Sequence, residues 1–80
     1  MAILPDGAYD VIVIDVETTD DGDTRLELTI TIGPHVGSVL SLRGRHVEKS
    51  ALVSDPLSLL GIPGTLRVRH GTPRFLPELP

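Results

Sequence analysis

The 80-residue chain has no cysteine and no tryptophan, and only one tyrosine and one phenylalanine. Without cysteine there is no disulfide, no thiolate metal site and no cysteine nucleophile. With Tyr9 and Phe75 as the sole aromatics, a core has to be assembled from Val, Leu and Ile. Long apolar runs are missing too. None approaches the roughly 20 residues a membrane-crossing helix needs, so no membrane partner is expected. Met1 is followed by Ala-Ile-Leu-Pro-Asp, without the basic stretch of a secretory leader, and a cytoplasmic setting is the expectation. Catalytic signatures are equally scarce: there is no nucleophile elbow, no paired-carboxylate pattern and no phosphate-cradling Gly-Lys motif. So short a chain has little room for a water-excluding pocket, and neither an enzyme nor a cofactor is expected.

Charge is unevenly placed. The net charge is −4. Asp6, Asp10, Asp15, Glu17, Asp20, Asp21 and Asp23 crowd the first 24 residues, which carry no base, whereas all six arginines and the single lysine follow. An acidic protein of this kind can still present a locally basic surface.

Apolar spacing indicates strands. Residues 8–18 (AYDVIVIDVET) are β-branched and apolar at both parities, which implies a strand buried on both faces or bent midway. Thr19-Asp20-Asp21-Gly22-Asp23 reads as a hairpin loop, because Asp-Gly supplies the positive φ such turns require. From Thr24 to Ile32, Leu26, Leu28, Ile30 and Ile32 alternate with Arg25, Glu27, Thr29 and Thr31, the period of a strand with one dry face. After a turn at 33–37, residues 38–45 resume the alternation, with Leu40 and Leu42 inward and Val39, Ser41 and Arg43 outward. Ser54 to Gly61 reads as a short helix: Ser54 or Asp55 as cap, Pro56 in its first turn and Gly61 ending it. Leu57 and Leu60, with Leu59 as a third candidate, are expected to face the barrel. A fourth strand places Leu66, Val68 and His70 inward against Thr65, Arg67 and Arg69. Gly71-Thr72-Pro73 then turns the chain, Arg74 to Leu76 form a short last strand, and Pro77 and Pro80 blunt the tail against further pairing.

The resulting order, β-β-β-α-β-β, predicts one all-β domain over 1–80. It is that of a small five-stranded OB-like (oligonucleotide/oligosaccharide-binding) barrel with one short helix between strands three and four, whose ligand face lies on strands two and three. A small SH3-like barrel is the alternative. Gly7-x-Tyr9, Val16-Glu17, the loop through Gly22, Leu26-x-Leu28-x-Ile30 and Gly33-x-His35-x-Gly37 resemble small phage and mobile-element proteins of the OB-fold single-stranded DNA-binding accessory type. The likeness covers roughly residues 6–43. It implies a single-stranded DNA partner.

Candidate binding residues are weighed from the strand parities. Arg43 and Arg45 are expected to project from strand three beside Arg25, and Arg67 and Arg69 share the outer face of strand four. Repeated guanidinium groups along one surface are what a phosphate backbone requires, although outward strand positions are polar in any case and pair across strands. For base stacking only Tyr9 and Phe75 are available. Phe75, beside Arg74, is the better candidate for exposure, and a Tyr at the position of Tyr9 is more often a rim residue of the core with its hydroxyl in water. His35, His46 and His70 lack metal-ligand spacing, and Asp20, Asp21 and Asp23 lack the register of a calcium loop, so no metal site is expected. Two functions remain open: weak, largely non-specific binding of single-stranded nucleic acid, or a protein-interaction module. The latter would form homo-oligomers or dock a protein partner through an exposed strand edge or the acidic first hairpin.

Overall fold

The first half of the chain forms a meander because a short Asp-rich loop and then a glycine-bounded loop return it on itself. The computed structural model describes residues 4–47 and 56–78. It contains five strands: β1 (Gly7–Thr18), β2 (Thr24–Ile30), β3 (Val39–Arg43), β4 (Pro63–Arg69) and β5 (Thr72–Pro77). All pairings between them are antiparallel, in the order β3-β2-β1-β4-β5. The sheet curls into a half-barrel until Val47, beyond β3, meets Phe75 of β5 in an isolated parallel bridge. No helix among the described residues is long and apolar enough to cross a membrane.

The double apolar parity of β1 has a simple origin. Its register with β2 shifts between Val13 and Asp15. Val11 and Val13 point inward before this bulge and Val16 after it, while Ile14 is pushed outward. The extra residue bends the strand so that both halves feed one interior. Along β2, Leu26, Leu28 and Ile30 are buried as the alternation predicts. Ile32 is not: it is 65% exposed, because β2 ends at Ile30, the Thr31 N–H makes the last bond to β1 at the Asp10 carbonyl, and the Ile30 backbone closes the loop through Ser38 and Gly37.

The helix expected over 54–61 is replaced by one 3-10 turn, Pro56–Leu59. Ser54 and Asp55 lie outside the described residues. Leu60 donates its N–H to the Leu57 carbonyl (3.1 Å) and Ile62 to Leu59 (3.0 Å), after which Gly61 turns the chain before an α-helix can propagate. With about three residues per turn, Leu57 and Leu60 share a face, and that face is outward. Leu59 alone enters the core. The turn is held against the β1 bulge, where Gly61 N–H donates to the Val13 carbonyl (2.9 Å) and Val13 N–H to the Ile62 carbonyl (3.0 Å).

His70 also departs from its expected inward position. Arg69 pairs with Thr72, leaving His70 and Gly71 as a two-residue hairpin loop with φ of 53° and 77°. Two successive positive φ values match the twist of the flanking strands, and His70 is exposed. The interior is aliphatic apart from Phe75.

Candidate nucleic-acid interface

Strand register decides which arginines share a surface. Across β2 and β3, Arg25 lies opposite Arg43, and on its other side it lies opposite Glu17 of β1. The three side chains therefore form one outward row. Arg25 is ion-paired with Glu17, and Arg43 Nη1 lies 3.7 Å from Asp23 Oδ2. The next outward row carries Asp15, Glu27 and Ser41, and the hairpin loop adds Asp20 and Asp21. Two guanidinium groups thus stand among six carboxylates. The Thr19 hydroxyl and then the Asp23 N–H donate to Asp21, which holds its carboxyl below the ordinary value, so this turn keeps its charge to lower pH than a free aspartate. The outer face of strands two and three, where the ligand was expected, is acidic. Arg45 is not on it: β3 ends at Arg43, and a 3-10 turn, Gly44–His46, carries Arg45 away from the row beside Arg25.

At the opposite end of β1 the balance reverses. Arg67 faces Ala8 across β1 and Arg74 across β5. Arg69 follows on the same outward face, one row further along and opposite Thr72. Neither Arg67 nor Arg69 has an ion-pair partner among the described residues. Asp6, Gly7, Ala8, Arg67, Val68 and Arg69 line an open groove of about 420 Å³. Asp6 is committed to the fold, since its carboxylate accepts the N–H groups of His70 (2.9 Å) and Gly71 (3.2 Å). That clasp fastens the β4–β5 loop to the start of β1. Asp10, opposite Thr65, is the next acid on this face. The two arginine groups are separated by most of β1, from Ala8 to Glu17, roughly 30 Å of extended strand, and so do not form a single track.

A search of protein-family models, of curated proteins and of solved structures found no match to this chain.

The surroundings of the two candidate stacking residues overturn the exposure expected of Phe75 and match the rim position of Tyr9. Phe75 is 0% exposed, because β5 alternates with Arg74 outward and Phe75 inward, opposite Leu66. It cannot stack a base. Tyr9 is half-buried against the core. Its hydroxyl donates to the Pro5 carbonyl, and its ring meets His35 edge-on at 5.9 Å between centroids. The rim reading of Tyr9 is the one that fits. Arg74 was the residue the strand parities passed over. Its signal was the His70-Gly71 pair: a two-residue loop there places Arg74 directly across from Arg67, whereas a turn at 71–73 does not.

Proposed function

We propose that this chain binds single-stranded nucleic acid weakly and with little sequence preference, through phosphate contacts from Arg67 and Arg69, with Arg74 beside them. One observation carries the reading: Arg67 and Arg69 stand on one outward face, without carboxylate partners among the described residues, along an open groove. Guanidinium groups so placed gain affinity by releasing counterions from the phosphate backbone. The OB-like barrel reading is supported by the strand order, since the chain just beyond β3, at one end of the sheet, meets β5 at the other through the parallel Val47–Phe75 bridge. The binding face differs from the strand-two and strand-three face of that architecture, because the latter is crowded with carboxylates. Arg25 and Arg43 are assigned to pairing with Glu17 and Asp23.

The test is fluorescence anisotropy of a labelled oligodeoxythymidylate at low and at physiological ionic strength. Binding is expected to weaken with a log–log salt slope of about −1.4, matching two phosphate contacts. The double variant Arg67→Gln/Arg69→Gln is expected to lose roughly tenfold in affinity. Arg25→Gln/Arg43→Gln changes the net charge by the same amount and is expected to stay within roughly twofold. Equal losses in both variants would show that overall charge, and not this face, governs binding.

A second reading, docking of a protein partner or a second copy, is favoured by Ile32, Val36 and Val39. These are exposed at or near the start of β3, an edge strand of the sheet. A concentration-dependent dimer by sedimentation, with no oligonucleotide binding, would select it.

A further inference from the structure

We infer that the Arg67–Arg69 groove recognises the phosphodiester backbone alone and makes no use of the bases, so that a nucleic acid stripped of its bases binds as well as an intact one. This rests on the nucleic-acid reading above. Single-strand binders usually gain much of their affinity by stacking bases on aromatic rings. Here the supply of rings is settled by composition, with one Tyr, one Phe and no Trp. Phe75 is sealed in the core. Tyr9 pairs with Leu66 on the inward row, while Ala8 and Arg67 occupy the outward row, so the Tyr9 ring is on the wrong side of the sheet.

Apart from its two guanidinium groups, the groove presents no side chain among the described residues that is free to read base edges. Its walls and floor include Gly7, which has no side chain, Ala8, which ends at a methyl group, and the buried Val68. The polar side chains lining it are Arg67, Arg69 and Asp6, and the Asp6 carboxylate is occupied by the two N–H groups of the hairpin loop. What remains is a pair of guanidinium forks, which suit the planar, bidentate geometry of phosphate oxygens. Among the three histidines, His35 is packed on Tyr9 and His46 belongs to the 3-10 turn after β3. Only His70, exposed in the loop beside Arg69, borders the groove. Its imidazole is the one aromatic ring among the described residues placed to stack on a base at this groove.

The decisive comparison is anisotropy with an oligodeoxythymidylate and an abasic oligomer of the same length and charge, using the intact chain, the Arg67→Gln/Arg69→Gln variant and a His70→Ala variant. One stacked base is worth roughly fivefold or more in affinity. The expected result is that both oligomers bind within less than that factor of each other, share one salt slope and lose affinity together in the double-arginine variant. The His70→Ala variant is expected to bind both unchanged. An abasic oligomer that binds more than about fivefold weaker overturns the inference. If the deficit then disappears in His70→Ala, the overlooked platform is that ring. Binding of neither oligomer overturns the nucleic-acid reading itself, a result distinct from unequal binding.

Discussion

Phe75→Ala is expected to lower the stability of the domain by about 3–5 kcal/mol. A domain of this length has about 4–12 kcal/mol in total, so the loss removes a large part of it and, at the lower end, all of it. The size follows from where the ring sits. Phe75 is fully buried, lies opposite Leu66 on β4, and bridges to Val47 where the two ends of the curled sheet meet. It is the one bulky ring in an otherwise aliphatic interior, and truncation leaves a cavity that the strands on both sides cannot easily fill. Urea denaturation followed by circular dichroism measures the effect. Phe75→Leu retains most of the volume and is expected to cost about 1–1.5 kcal/mol. A ring that served to stack bases would behave in the opposite way: its loss would weaken oligonucleotide binding and leave the denaturation midpoint unmoved.

Gly64→Ala is the second large effect, and the change adds only a single methyl group. Gly64 lies in β4 between Val11 of β1 and Pro77 of β5. A Cβ at this position would approach the Leu76 carbonyl oxygen to 2.6 Å, Phe75 Cε1 to 2.7 Å and the Pro77 Cα to 2.9 Å. Two of those three atoms are backbone, and the third belongs to a ring that has no other place to go. Accommodating the methyl group therefore requires β5 to move away from β4, which also disturbs the Phe75 ring. The expected cost is about 2–3 kcal/mol, or a fall in Tm on the order of 10–20 °C for a domain of this size. Substitution at Gly22, where a Cβ would meet nothing within 4 Å, gives a useful contrast: only its left-handed backbone (φ 84°) is strained. A Gly64→Ala variant as stable as the parent would mean that β4 and β5 do not approach each other as described.

Much of the fold was legible because period-two patterning is a direct report of which face is dry. Leu26, Leu28 and Ile30 announce β2, and the double parity of residues 8–18 announces the bend that the Val13–Asp15 bulge delivers. The pattern over 54–61 does not separate a 3-10 turn from a short helix, because the Pro56 and Gly61 signals are common to both. His70 and Phe75 were misplaced for a shared reason. A turn at 71–73 extends β4 by one residue and leaves β5 too short for its alternation to register, whereas the loop is at His70 and Gly71. The candidate site was legible in residue type and not in grouping. Alternation indicates that Arg25, Arg43, Arg67 and Arg69 point outward, but cross-strand register decides their neighbours. That register sets Glu17 beside Arg25 and Ala8 beside Arg67, which turns one expected basic surface into a compensated face and a basic one.

Backbone amide shifts on titration with an oligodeoxythymidylate at low ionic strength test the binding face most directly. The largest changes are expected at Gly7, Ala8, Arg67, Arg69, Thr72 and Arg74, with little movement at Arg25, Glu27, Ser41 and Arg43. Shifts concentrated on β2 and β3, or an unchanged spectrum throughout the titration, would contradict the assignment of nucleic-acid binding to the β4–β5 face.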